Sequence, residues 1–277
     1  MAPAELKEAC DATVASLESK LLNTNTSLSD KYRILFSLRN IAGHAAHQAM
    51  LQGLKDASAL YRHEVAYCLG QRQDPAALEA LKAILHDTSE HPMVRHEAGE
   101  ALGAIGTPEC IEPLRQHEQD AVLEVAETCQ LALQRIRFFE SVEGKRLVDN
   151  SPYLSVDPTP PAVGKSLDEL REVFLDENAE IFERYRAMFA LRNTGGADAV
   201  KILTDSFESS QSALLKHEVA YVLGQMQDAH ATERLKEVLG DAGENAMVRH
   251  EAAEAMGSIA SNECLEMLKK VRVCCCR

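Results

Sequence analysis

The 277-residue chain has no tryptophan, and aromatic residues make up only 5% of it. A core of that composition cannot rest on large aromatic anchors; it must be assembled from aliphatic side chains at close spacing. There is no basic excess: 43 acidic residues against 29 basic ones leave a formal charge of −14. That excludes the usual nucleic-acid binder, which needs a cationic face, and suits a basic protein or a cationic substrate group. No apolar run approaches the roughly 20 residues of a membrane span. Met1–Leu22 lacks the basic start and apolar stretch of a secretory leader. The eight cysteines form no CxxC pair and no regular framework. Cys68, Cys110, Cys129 and Cys264 fall in apolar helical patterns, as reduced packing residues do. The expectation is a cytoplasmic monomer with neither nucleic-acid nor membrane partners.

Ala, Leu, Glu and Lys together dominate what is present, and β-branched residues are few, which favours helices throughout. Leu6, Cys10, Val14, Leu17 and Leu21 share one helical face. Ser29-Asp30 reads as a helix start before Tyr32–Leu38, and a second helix follows from about His44 to Leu54. Helix-start patterns then recur near Lys31, Arg62, Arg95 and Ala126, at nearly equal steps. Each of the copies at Arg62 and Arg95 is followed by a turn and a shorter helix. A helix–turn–helix unit of this length is an α-solenoid repeat, and it resembles the short HEAT form, Val-Arg-x-x-Ala-x-x-Ala-Leu-Gly. Pro152, Pro158, Pro160 and Pro161 mark residues 143–166 as an extended linker. The pattern resumes near Leu167, where Arg184–Arg192 echoes Lys31–Arg39. The predicted fold is an all-α HEAT-repeat solenoid in two pseudo-symmetric halves: 1–142, a linker at 143–166, and 167–277.

His-Glu occurs four times, at His63-Glu64, His96-Glu97, His217-Glu218 and His250-Glu251. The second dyad of each half follows the first by the same interval (96 − 63 = 250 − 217 = 33), and the two halves share one offset (217 − 63 = 250 − 96 = 154). The outer repeats carry Tyr32-Arg33, Tyr185-Arg186 and Glu127-Thr128 instead. A dyad needed only for repeat structure would occur in every copy. Successive helix residues diverge by about 100°, so each His and its Glu have different tasks. Helices of neighbouring repeats pack about 8–10 Å apart, close enough for side chains of two repeats to converge on one ion. Two imidazoles and one carboxylate with open positions suit non-haem iron that reacts with dioxygen. A zinc protease would need His-Glu-x-x-His, but the fourth residue on is Tyr67, Glu100, Tyr221 or Glu254. Glu100 and Glu254, one turn after His96 and His250, either orient those imidazoles or are solvated ion-pair residues. His44 and His47 have no counterpart in the second half and read as surface residues; His86, His91, His117 and His230 also lack matched copies.

These dyads, with Met93–Glu97, Met247–Glu251, Leu215–Gln225, Arg184–Arg192 and Pro152–Pro158, resemble the deoxyhypusine hydroxylase family from about Asp30 to Lys270. The resemblance implies a di-iron monooxygenase that uses dioxygen to hydroxylate deoxyhypusine on translation initiation factor 5A, forming hypusine. It implies one Fe2+ on His63, His96 and Glu97, and another on His217, His250 and Glu251. It also implies that Glu64 and Glu218 hold the cationic amines of the substrate at the catalytic centre. Met93 and Met247 line the cleft or pack the helices. A binding scaffold without chemistry, or a solenoid like the bilin lyases, would share the repeat but not the reason for four dyads. The final stretch Lys269–Arg277, with Cys274, Cys275 and Cys276, replaces the unit that follows the last dyad of the first half. The expectation is a second half that lacks its terminal cap, with a weaker iron site there.

Overall fold

Helix caps and repeated apolar stripes divide the chain into α-helices and short 3-10 turns. The computed structural model describes residues 9–147 and 151–271, and no β-strand occurs among them. The helices in order are Asp11–Leu22 (α1), Leu28–Arg39 (α2), His44–Gly53 (α3), Ala59–Arg72 (α4), Leu78–His86 (α5), Pro92–Ile105 (α6), Ile111–Gln116 (α7), Leu123–Glu140 (α8) and Val142–Arg146 (α9). After the linker come Leu167–Leu175 (α10), Ile181–Thr194 (α11), Gly196–Ser209 (α12), Ala213–Met226 (α13), Thr232–Gly240 (α14), Ala246–Ile259 (α15) and Asn262–Val271 (α16). Met1–Asn150 with Leu154–Pro158 forms one compact unit, and Ser151–Tyr153 with Thr159–Arg277 the other. In the first unit α2, α4, α6 and α8 begin at Leu28, Ala59, Pro92 and Leu123, the same steps that separate the helix-start patterns. The sequence period is therefore the period of the helices. The core is one aliphatic seam between them, including Leu35, Leu38, Val65, Leu69, Ala98, Leu102, Val125 and Cys129. Cys68, Cys110, Cys129 and Cys264 are buried free thiols. The described residues include no helix long and apolar enough to cross a membrane.

Two boundaries differ from the sequence reading. α2 starts at Leu28 rather than after Ser29-Asp30, because Ser27 caps it: its Oγ accepts from the Asp30 amide at 3.2 Å and donates to the Asp30 carboxylate at 2.7 Å. α1 starts at Asp11, and Leu6 lies outside the described residues. Ser58, Ser166 and Ser212 cap α4, α10 and α13 in the same way, Ser166 within a capping box with Glu169. The helices that carry the first dyad of each unit end in left-handed glutamines, Gln73 (φ 51°) and Gln227 (φ 52°). A non-glycine residue there costs about 1–2 kcal/mol. Each glutamine gains a bond in return: Gln73 Nε2 donates to Ala104 O at 2.6 Å and Gln227 Nε2 to Ser258 O at 3.0 Å, both in the next repeat.

A ladder of ion pairs fixes the other end of the helices. The basic residue before each of three dyads reaches the acidic residue just ahead of the next repeat. Arg62 bonds Glu90 through two nitrogens (2.6 and 2.8 Å), Arg95 bonds Asp120 likewise (2.6 and 3.1 Å), and Lys216 bonds Glu244 (2.9 Å). Lys31 and Asp56 form the corresponding pair for α2. Arg95 is almost wholly buried and also donates to Leu85 O. The Arg95 hydrogen bonds outweigh burial and hold the Asp120 carboxyl far below the ordinary carboxylate range. A carboxyl depressed by folding contributes stability that is present above its unfolded value near 4 and is lost as pH falls through its folded value. Wild-type protein should therefore lose melting temperature below about pH 4 more steeply than Asp120→Asn. Identical slopes would show that the pair contributes nothing. Arg95→Met should cost about 1.5–3 kcal/mol at neutral pH, since it removes a charge-assisted partner from Asp120 and leaves it with His117 and the Val122 amide.

The linker is not a freely solvated strap. Its first residues form α9 because Ser141 caps them. Gln71 grips the Val156 backbone from both sides, Oε1 accepting at 2.8 Å and Nε2 donating at 3.1 Å, and Arg135 donates to Asp157 O at 3.0 Å. In the second unit the buried Arg192 donates to Gln225 Oε1 at 2.7 Å and Ser151 Oγ at 3.2 Å, and stacks over Tyr153. Gln225 is the copy of Gln71; Gln71 bonds the linker directly, whereas Gln225 bonds Arg192, which makes the linker contact in the second unit. His47 does not lie at the surface, where its local pattern places it. It is fully buried with Nδ1 3.3 Å from Asp74 Oδ2, and burial pushes its imidazole below the ordinary range. Its partner sits in the turn after α4, which the local pattern around His47 could not reveal. His44 is exposed, as expected.

Candidate metal centre

The dyads sit in the second turn of their helices, beyond the caps and above the ion-pair ladder. A glycine two turns after His63, His96 and His217, on the same face, sets how closely neighbouring helices approach; Gly257, in the same place after His250, has nothing within 4 Å of an added Cβ. A Cβ on Gly70 would lie 2.8 Å from Ala101 Cα, one on Gly224 2.9 Å from Ala255 Cα, and one on Gly103 2.6 Å from Ala132 Cβ. Only hydrogen at these positions lets α4 meet α6, α6 meet α8, and α13 meet α15 at this distance. Gly70→Ala should force the α4 and α6 backbones apart, costing about 1–3 kcal/mol and widening the His63–His96 separation. An unchanged melting temperature would refute the close-approach argument.

At that spacing, a histidine of one repeat meets the carboxylate of the next. His63 Nε2 lies 3.1 Å from Glu97 Oε2, and His217 Nε2 lies 3.2 Å from Glu251 Oε2. The same Glu97 oxygen is 3.9 Å from His96 Nε2. The roughly 100° divergence of His96 and Glu97 along the helix is therefore overcome by side-chain length, with Glu97 leaning back toward α4. The His63 and His96 rings are 5.7 Å apart between centroids. All three side chains are buried, as are His217 and Glu251. Two ligand atoms sharing one ion at about 2.1 Å, at angles near about 90–110°, are about 3–3.5 Å apart. The 3.1 Å separation lies within that range and the 3.9 Å one a few tenths of an ångström above it, so a small shift of Glu97 lets the donor set take one small ion.

The second dyad of each unit carries an extra carboxylate. One ligand atom each of His96, Glu97 and Glu100 lies within 4.8 Å of the other two, and the same holds for His250, Glu251 and Glu254. In the second unit His250 Nε2 is 3.2 Å from Glu254 Oε1. Burial pushes the His250 imidazole down, but the Glu254 and Glu251 carboxylates outweigh it and lift the group above its ordinary value. His250 is also partly exposed, whereas His96 is not. Glu64 and Glu218 are buried on α4 and α13. The register places Glu64 where Glu97 stands on α6, and the repeat before it carries Tyr32 instead of histidine. Met93 is half-buried at the start of α6, and Met247 is buried at the start of α15. The unmatched histidines have other work: His91 caps α6, His117 joins Asp120, and His86 bonds Gln116. Cys274, Cys275 and Cys276 lie outside the described residues.

Paired helical repeats that bury imidazole and carboxylate donors together define a HEAT-repeat protein with a candidate metal site. Residues 30–134 match the HEAT repeat family, and 215–241 and 248–271 match the PBS lyase HEAT-like repeat. The chain is 50% identical over 231 residues to deoxyhypusine hydroxylase of Danio rerio, covering 83% of this chain and 75% of that one. It is 49% identical to deoxyhypusine hydroxylase of Homo sapiens, covering 83% and 76%. A solved structure of human deoxyhypusine hydroxylase in complex with glycerol superposes with a TM-score of 0.91 at 48% identity, covering 94% of this chain and 90% of that one. The chain belongs to the deoxyhypusine hydroxylase family and is a hydroxylase, an oxidoreductase. A scaffold without chemistry is thereby set aside. The bilin lyase likeness is one of repeat form: it covers 215–241 and 248–271, whereas the hydroxylase match spans 231 residues.

Proposed function

We propose that the chain hydroxylates the deoxyhypusine side chain of translation initiation factor 5A, forming hypusine, with two iron ions and dioxygen. The observation that carries this reading is the duplicated reach of a carboxylate to the histidine of the preceding repeat, Glu97 to His63 and Glu251 to His217, at 3.1 and 3.2 Å. His63, His96 and Glu97 would hold one iron, and His217, His250 and Glu251 the other. Bound iron supplies the activation of dioxygen that an unactivated C–H bond requires. The chain supplies the rest. The glycine-set helix contacts and the ion-pair ladder hold the donors at fixed separation. Burial excludes bulk water from them. Glu64 and Glu218 take the cationic amines of the substrate arm, and Met93 and Met247 flank the second dyads as apolar walls. The net charge of −14 favours approach of a basic loop on the partner.

The test is metal analysis of protein purified without chelator, together with hydroxylation of the deoxyhypusine-bearing factor with and without oxygen. Two irons per chain and oxygen-dependent turnover are expected. Full turnover by iron-free protein would sink the reading.

A further inference from the structure

The reach-back geometry extends one repeat further than the metal ligands do. Glu127-Thr128 on α8 occupies the place of the His-Glu dyad, with Thr128 at the position equivalent to Glu97. Just as Glu97 reaches back from α6 to His63, Thr128 reaches back from α8 to His96. Its Oγ1 is 3.5 Å from His96 Nδ1, and both residues are buried. A carboxylate at 128 would place another negative charge beside Glu97. Threonine instead offers a neutral hydroxyl of the right reach.

We propose that Thr128 is a positioning residue for the first metal site, holding His96 in the tautomer that carries its proton on Nδ1 and leaves the Nε2 lone pair toward Glu97. This rests on the reading of His96 as an iron ligand. A neutral imidazole has one N–H and one lone pair, and the partner of one nitrogen decides the role of the other. With Nδ1–H donating to Thr128 Oγ1, only Nε2 remains to bind an ion. The rotamer of Thr128 is set from the other side: a Cβ on Gly99 would stand 3.3 Å from Thr128 Cγ2 and 3.5 Å from Cys129 Sγ. The glycine thus leaves room for the threonine methyl, which turns the hydroxyl toward His96. At the matching place the second unit has Ala253, and there His250 Nε2 points to Glu254 at 3.2 Å. Met93–Glu100 and Met247–Glu254 agree at every position except this Gly99/Ala253 pair.

The experiment compares wild-type, Thr128→Val and Thr128→Ser by two readouts. In metal-free protein, ring nitrogen shifts of His96 report its tautomer by NMR. Titration with Fe2+ under argon reports the affinity of each site. Loss of such an outer partner typically weakens metal binding about 10–100-fold. Thr128→Val, which keeps the methyl against Gly99, should show that loss at one site only and a mixed His96 tautomer; Thr128→Ser should restore both. Wild-type affinity and an unchanged tautomer in Thr128→Val would overturn the proposal, as would equal losses in the valine and serine variants. If wild-type protein binds no iron at all, the parent reading fails, an outcome distinct from a silent Thr128→Val.

Discussion

His63→Ala is expected to leave protein with one iron in place of two and no detectable hydroxylation, while the fold survives. The side chain stands on a helix whose cap at Ser58, ion pair at Arg62 and close contact at Gly70 are independent of the imidazole. Its removal therefore takes away a donor without removing a packing anchor. Glu97 Oε2, 3.1 Å from His63 Nε2, is left as a buried carboxylate with one imidazole instead of two. On the proposed ligand set, a site reduced in this way should release its ion, and hydroxylation that rests on two bound ions should stop with it. His217→Ala should behave identically, because Glu251 stands to it as Glu97 stands to His63. Metal analysis and circular dichroism on the same sample decide the matter: native helicity with full iron in either variant would remove His63 or His217 from the ligand set.

The period of the helices is legible because each repeat solves one packing problem with one pattern. Helices α2, α4, α6 and α8 start at the same steps as the recurring sequence patterns. The dyads stand out for the same reason: they occur in inner repeats and are replaced by Tyr32-Arg33 and Glu127-Thr128 outside them. What a helical wheel cannot show is direction between repeats. It separates His96 from Glu97 by about 100° and says nothing of Glu97 leaning back to α4. The glycine two turns after each inner histidine is visible as part of the HEAT pattern. Its purpose becomes clear only when the added Cβ meets Ala101, Ala132 or Ala255. His47 reads locally as a surface residue because its burial depends on Asp74, beyond the end of the following helix. The sequence leaves Glu100 and Glu254 open between two roles, and the structure brings a carboxylate oxygen of each within 4.8 Å of a donor atom of each residue of the second dyads.

Glu64→Gln and Glu218→Gln are expected to separate substrate binding from iron binding. The repeat register makes the distinction: Glu97 and Glu251 each follow a repeat that carries histidine, whereas the repeat before Glu64 carries Tyr32, and Tyr185 stands in the corresponding repeat of the second unit. The reach from a carboxylate to the imidazole of the preceding repeat, which brings donors together at Glu97 and Glu251, is therefore not repeated at Glu64 and Glu218. Both of these carboxylates are nevertheless buried, and in a low-dielectric setting an anion attracts an arriving cation more strongly than it would in water. A substrate amine is such a cation. Glutamine keeps the shape and removes the charge, so the loss is that of a hydrogen bond to a charged group, about 1.5–3 kcal/mol. At about 1.4 kcal/mol per tenfold, KM for the deoxyhypusine-bearing factor should rise roughly 10–150-fold. Iron content should stay at the wild-type value, whereas Glu97→Gln and Glu251→Gln should each lose one iron. The comparison needs all four variants assayed side by side for metal and for KM. Iron loss in Glu64→Gln equal to that in Glu97→Gln would make Glu64 a ligand and end the division of labour between the two carboxylates of each unit.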